Sequence, residues 1–301
     1  MKRRLLLLLP ILLLLWTVRA AQAGGPVTPL PPTATATPTV TPSATAPAIT
    51  PGVTATPTAT AVPLTYALVN VPDKGTLHMR SRPDIQSRIV GALAAQQKNV
   101  PLTGRTFGTI PRIWYEVRRT GGGTGWISSY YVVEYMPSEA FCRDERIRPL
   151  IENLARTIQN LDGAGFARLV SPMHGVTVRL TAQGTPYNFL ELYARYLFWS
   201  TYPIPWGKVP PSGKAMTGSF KDLVTPRLKE VFTASYELYC NDASKLVGYL
   251  SPWPVEYQNV NFYTVFKPES RAGAGDWRAW LVGIDYVYQQ PYLFALIHYQ
   301  P

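Results

Sequence analysis

The sequence predicts a multidomain chain. A small all-β barrel is followed by an α+β domain with helices on an antiparallel sheet, and both are preceded by a signal peptide and a disordered Thr/Pro linker. Three observations carry this prediction. A basic end feeds a short apolar run at the N-terminus. Residues 26–64 hold twelve Thr, ten Pro and no charged side chain. Beyond residue 65, short β-prone runs give way near residue 138 to helical periodicity and then to long strands. The expected boundaries are 1–23 for the signal peptide, 24–64 for the linker, 65–136 for the barrel and 138–301 for the α+β domain.

The N-terminal segment reads Met1-Lys2-Arg3-Arg4 and then runs apolar from Leu5 to Trp16, broken only by Pro10. Ala21-Gln22-Ala23 before Gly24-Gly25 has the pattern of a secretory cleavage site. The run is shorter than the roughly 20 residues needed to cross a bilayer, which favours a cleaved peptide over a permanent anchor. No cysteine follows it to take a lipid, and no later stretch reaches spanning length. The expectation is an extracytoplasmic protein, secreted or associated with the cell surface, with no transmembrane anchor after cleavage.

In the linker, Thr35-Ala36-Thr37-Pro38-Thr39 recurs as Thr54-Ala55-Thr56-Pro57-Thr58. Proline removes backbone donors, and no apolar periodicity is present to build a core, so this stretch is expected to stay extended and unfolded. Its Thr-rich composition also suits O-glycosylation.

The formal charge is +11, but it is unevenly spread. The signal segment carries four of the excess positive charges, residues 65–136 carry five, and residues 137–301 only two. No dense Lys/Arg stripe with interleaved aromatics appears, so a nucleic-acid partner is not expected. Affinity for anionic material is expected to reside in residues 65–136. Two cysteines, Cys142 and Cys240, form an even pair in an exported chain. Neither has the local signature of a catalytic thiol, so a structural disulfide is expected.

Between residues 65 and 136, Val69–Val71 and Leu77–Arg80 flank the turn Pro72-Asp73-Lys74-Gly75, and Ile89-Val90-Gly91-Ala92-Leu93 leads on to Lys98–Leu102. Ile113–Arg118 alternates, with Ile113, Tyr115 and Val117 on one face and Trp114, Glu116 and Arg118 on the other. Gly121-Gly122-Gly123 turns the chain into Thr124–Ser128. Five short strands in so short a length predict a small barrel that needs no helix.

These residues resemble bacterial SH3-type domains. Leu77-His78-Met79-Arg80-Ser81-Arg82-Pro83 followed by Ile89–Leu93 is similar to the family's opening motif, Trp114-Tyr115-Glu116-Val117 to its central strand, and Gly125-Trp126-Ile127-Ser128-Ser129-Tyr130-Tyr131 to its closing one. The sequence departs from the pattern at His78, where Asn is usual, and at Arg82, where Gly is common. The resemblance implies a non-catalytic binding module for cell-wall peptidoglycan or peptide. Candidate ligand-binding residues are Trp114, Trp126, Tyr130 and Tyr131, which can stack on sugar rings or peptide groups. Arg80, Arg82 and Arg112 can meet carboxylates or anionic wall polymer. For Trp126 and Tyr115 a place in the core remains open, as does a plain solvated face for the arginines.

Beyond residue 138, Ser138-Glu139 can start a helix whose apolar positions Ile147, Leu150, Ile151, Leu154 and Ile158 share one face. Asp162-Gly163 ends it, and Phe166–Val170 makes a short second helix. Val176–Leu180 alternates as a strand, and a further helix starts at Ser219 with Asp222 in its first turn. Tyr236–Cys240, Val260–Phe266, Trp280–Tyr288 and Tyr292–Tyr299 read as strands. This order is loosely similar to NTF2-like α+β folds, a resemblance that implies a cavity between sheet and helix. No zinc spacing, phosphate loop or other catalytic signature stands out, so no cofactor, metal or catalytic residue is assigned. His174, Asp285 and His298 interrupt apolar surroundings and are the candidate pocket groups.

The expected function is non-enzymatic binding at the cell wall or surface, with the barrel as anchor and peptidoglycan or another anionic wall polymer as partner. Two alternatives stay open. One is a wall-acting hydrolase, whose C-terminal domain cleaves while the barrel targets it. The other is a structural or protein-contact role. The lack of a recognisable catalytic set favours binding.

Overall fold

The computed structural model describes residues 64–209 and 212–301. The expected signal peptide and all but the last residue of the expected linker lie outside the described residues. The barrel comprises β1 (Thr65–Leu68), β2 (Thr76–Arg80), β3 (Ile89–Ala94), β4 (Leu102–Phe107), β5 (Trp114–Arg118), β6 (Thr124–Ser128), a 3-10 turn (Ser129–Tyr131) and β7 (Val132–Tyr135). Five strands form a sheet in the order β3-β2-β6-β5-β4, and β1 pairs antiparallel with β7 as a separate ribbon. The core is Leu68, Val71, Leu77, Met79, Val117 and Ile127 among others. The expected alternation in β5 holds for Val117, but Glu116 on the outer face is buried too. Thr103 and Thr124 donate to its carboxylate at 2.8 and 3.1 Å, and Arg105 bonds it at 3.1 Å, so a cross-strand lid of polar partners covers the charge.

The second half continues with α1 (Ser138–Cys142), α2 (Ile147–Asn160), α3 (Gly163–Leu169), β8 (Val176–Arg179), β9 (Tyr187–Phe189), α4 (Glu191–Ala194), β10 (Ile204–Val209) and β11 (Lys214–Gly218). It ends with α5 (Thr225–Phe232), β12 (Glu237–Cys240), β13 (Asn261–Lys267), β14 (Arg278–Val287) and β15 (Gln290–Tyr299). The expected helix from Ser138 is two helices. The Asp144 side chain accepts from the Arg146 backbone N–H at 3.0 Å, a local turn that breaks the first helix and starts the second. All five apolar positions of the expected stripe are buried on α2. Ser219 caps a π-helical turn, Phe220–Val224, that runs into α5; its hydroxyl accepts from Asp222 N–H at 3.1 Å.

Six strands form the main sheet in the order β12-β13-β14-β15-β8-β9. It is mixed rather than antiparallel, because β8 runs parallel to β15. The reason is connectivity. β8 enters the sheet from α2 and α3 rather than from a hairpin, so nothing forces it to run against its neighbour. Short strands, β12 and β9, close both edges.

Both faces of this sheet are covered, which is why nine of the ten residues of β14 are buried. On one face Trp280, Val282, Ile284 and Leu296 pack with α2, α5, Trp206 and Phe220. The space that an NTF2-like arrangement would leave between sheet and helices is occupied by these aromatic side chains. On the other face Leu281, Ile297 and Tyr299 pack with Tyr257, Leu246 and the barrel residues Ala67, Val69 and Val133. The barrel ribbon β1–β7 therefore shares a core with the sheet, and the described residues group as one compact unit.

Polar groups fasten the same seam. The Asn259 amide donates to Leu68 O and Gln96 O, both at 2.9 Å, and the Asn261 amide to Met136 O at 2.7 Å. The β14–β15 hairpin turns at Tyr288 and Gln289, both with positive φ. Their two successive N–H groups point to the Glu134 carboxylate on β7, at 2.7 Å each. Successive amides in that conformation form an anion-binding concavity. Cys142 and Cys240 are joined in a disulfide with Cα atoms 5.7 Å apart, tying α1 to the edge strand β12. Among the described residues no helix is long and apolar enough to cross a membrane.

Candidate functional site

A groove of 640 Å³ opens on the outer surface of the barrel. Strand β2 supplies His78 and Arg80, β5 supplies Trp114, and β6 with the 3-10 turn supplies Ser128, Tyr130 and Tyr131. Alternation puts His78, Arg80 and Trp114 on the side away from the barrel core, whose positions belong to Leu77, Met79 and Val117. The turn is fixed by Ser128, whose hydroxyl accepts from Tyr130 N–H at 3.3 Å, and by Asn70, whose amide donates to Tyr130 O at 3.0 Å. Tyr130 and Tyr131 meet edge to face with ring centroids 5.0 Å apart, and Tyr130 is 44% exposed. Burial of part of its ring, and then its neighbours Tyr257 and Tyr131, raise the Tyr130 pKa, so its hydroxyl stays a donor at neutral pH.

The groove thus gathers four of the sequence-predicted ligand residues: Arg80, Trp114, Tyr130 and Tyr131. The other three lie elsewhere. Trp126 is half-buried beneath the Arg105 guanidinium, 5.9 Å from its ring centroid. Arg82 and Arg112 are exposed outside the groove wall. Arg80 is partly committed, donating to Ser87 O at 3.0 Å, which leaves the rest of its fork to face the groove. His78, which departs from the family pattern, stands in the groove wall.

The three candidate pocket groups of the second half do not form one site. His174 and Asp285 meet, with Nδ1 to Oδ2 at 2.5 Å, and Ser171 donates its hydroxyl to the same Oδ2 at 2.8 Å. Ser171 escaped the sequence reading, and nothing in its Ser-Pro context signals the contact. The three residue types are those of a hydrolytic triad, but the wiring differs. Ser171 bonds the carboxylate rather than the imidazole, and its oxygen accepts from the His174 backbone N–H at 3.1 Å. The far nitrogen, His174 Nε2, lies 3.1 Å from two barrel carbonyls, Ser129 O and Val132 O, and so donates a proton instead of offering a lone pair to a nucleophile. His174 is 3% exposed and Asp285 2%. The cluster is a buried polar latch between sheet and barrel.

His298 lies apart, its Nδ1 3.3 Å from Leu180 O and its ring 5.0 Å from that of Trp280. Burial first, then the Arg227 charge, push its pKa down to about 3, so it is neutral under ordinary conditions. Among the described residues no three His, Cys, Asp or Glu side chains gather as a metal site would require.

The bacterial SH3 domain family matches residues 75–133, the stretch from the turn before β2 into β7. Residues 75–133 are a bacterial SH3 domain. Every residue named in the groove wall from Arg80 to Tyr131 falls inside that span, whereas Asn70, which braces the Tyr130 turn, lies just before it. Strand β1 also precedes the matched span and closes the bacterial SH3 domain by pairing with β7. No curated protein and no solved structure matches the chain.

Proposed function

We propose that this chain is an exported envelope protein whose bacterial SH3 domain binds peptidoglycan or its peptides without catalysis. In this reading residues 1–23 direct export, residues 24–64 hold the folded part away from the envelope, residues 65–136 bind and residues 138–301 support them. The observation that carries the reading is the open groove in which Trp114, Tyr130 and Tyr131 stand beside Arg80 and His78. Aromatic faces suit sugar rings and peptide planes, and a guanidinium fork suits a carboxylate. The disulfide is consistent with an oxidising compartment. The inward wiring of Ser171, His174 and Asp285 supports a role without catalysis.

Co-sedimentation of the full chain with purified peptidoglycan tests the proposal. The wild type is expected in the pellet, and Trp114→Ala in the supernatant. A wild-type chain that stays in the supernatant at low salt rules the proposal out.

A further inference from the structure

A second pocket, of 340 Å³, lies at the seam between barrel and sheet, on the side where Tyr288 turns the last hairpin. Its volume is at the small end of the about 300–1,000 Å³ range of ligand sites, which favour such junctions. Four tyrosines, Tyr66, Tyr115, Tyr286 and Tyr288, line it together with Glu134. No lysine or arginine is among the lining residues. The lining His174 is committed to Asp285 and two barrel carbonyls. Arg146, outside the lining, lies 5.8 Å from the Tyr286 ring centroid and donates to Gln289 O. Tyr66 and Tyr115 tilt at 42° with ring centroids 6.2 Å apart, presenting faces rather than a closed stack.

Two features of the pocket bear on its ligand. Glu134 has its oxygens on the N–H groups of Tyr288 and Gln289, but among the described residues it has no ion-pair partner. The hydroxyls of Tyr66, Tyr115 and Tyr288 make no hydrogen bond among the described residues. They lie near enough to Glu134 and one another that, after burial, these neighbours help raise the pKa of Tyr66 and push that of Tyr115 up to about 12. The pocket therefore combines π-faces, free hydroxyl oxygens and one carboxylate without an ion-pair partner among the described residues, which is the complement of a cation with apolar surroundings. A carboxylate or phosphate ligand would meet only repulsion from Glu134.

We infer that the seam pocket is a binding site for a small organic ammonium group, held by the tyrosine faces and hydroxyls and by the Glu134 carboxylate. This inference is independent of the groove. The two sites share no lining residue.

Titration calorimetry of the full chain with choline tests it, against the neutral carbon isostere in which a quaternary carbon replaces the nitrogen. Choline is expected to bind saturably, and the isostere about tenfold more weakly or not at all. Glu134→Gln is expected to weaken choline by about tenfold, with the loss shrinking as salt rises. Because Glu134 also holds the hairpin turn, Tyr288→Asn is the second probe. Asn tolerates the positive φ of that position, so the turn is kept while a ring is removed. It too is expected to weaken choline. The inference is overturned by equal binding of choline and its isostere, by no saturable binding of choline, or by a folded Tyr288→Asn variant with wild-type affinity.

Discussion

Replacing His174 with alanine cuts the polar latch between the bacterial SH3 domain and the sheet. The imidazole contributes one contact at 2.5 Å to Asp285 and two at 3.1 Å to barrel carbonyls. Its loss leaves the Asp285 carboxylate buried with Ser171 as its hydrogen-bond partner, since Oδ1 has none. Removing one member of a buried pair costs about 3–5 kcal/mol, and the orphaned carbonyls keep the value in that range rather than below it. For a unit of this size each kcal/mol shifts the melting temperature by roughly 2–4 °C, so a drop of roughly 6–20 °C is expected. Guanidinium unfolding of the full chain, followed by tryptophan fluorescence, measures the loss. In a double-mutant cycle, His174→Ala with Asp285→Ala should cost less than the sum of the single changes by about 0.5–3 kcal/mol, because the second change removes the unpaired charge. A His174→Ala variant within about 1 kcal/mol of wild type, or strictly additive changes, would refute the latch.

The disulfide closes a loop of 98 residues; in the chain-entropy account its removal by Cys142→Ser with Cys240→Ser costs about 4–5 kcal/mol, measured by the same unfolding assay. His298 gives a pH signature. Its pKa is about 3 in the folded chain, against the ordinary histidine value of 6.5 once the chain unfolds. The unfolded state therefore takes up the proton first as pH falls below that ordinary value, and stability falls with it. Between pH 7 and pH 5 this amounts to about 2 kcal/mol, and a folded His298→Gln variant should lack that slope, a window chosen to lie above carboxylate titration. Asn259→Ala removes both bonds from the buried amide to Leu68 O and Gln96 O, with an expected loss of about 1–3 kcal/mol. Hydrogen exchange in β1 should speed up in that variant, and unchanged exchange would argue against Asn259 as a seam contact.

The elements that could be read in the sequence were those whose period is set by burial on one side. The stripe Ile147, Leu150, Ile151, Leu154 and Ile158 is α2, and the strands at Leu77, Ile89, Trp114 and Thr124 lie where alternation and glycine turns put them. What escaped reading depends on contacts far apart in the chain. β9, α4 and the β10–β11 hairpin are short and held by tertiary packing, such as that of Trp206 on β10 against Tyr187 and Phe189 of β9. The parallel pairing of β8 with β15 joins residues over a hundred positions apart, and no local pattern encodes direction. In the groove, Trp114, Tyr130 and Tyr131 were legible because turn and strand motifs fix their side. Trp126 and Glu116, one step along the same face, were not, since cover by Arg105 comes from β4. His174 and Asp285 interrupt apolar runs and so drew notice, but their partners Ser171 and the two barrel carbonyls left no mark in sequence.

The central claim is that the groove of the bacterial SH3 domain holds the cell-wall ligand. The most direct measurement is a binding isotherm of the full chain on purified peptidoglycan, with Tyr130→Ala and Tyr288→Asn in parallel. Tyr130 stands in the groove and Tyr288 in the seam pocket. Truncating an aromatic anchor at the heart of an interface weakens binding by about tenfold or more. Tyr130→Ala is expected to show that loss while Tyr288→Asn binds peptidoglycan as the wild type does. Equal affinity of Tyr130→Ala and wild type would contradict the claim.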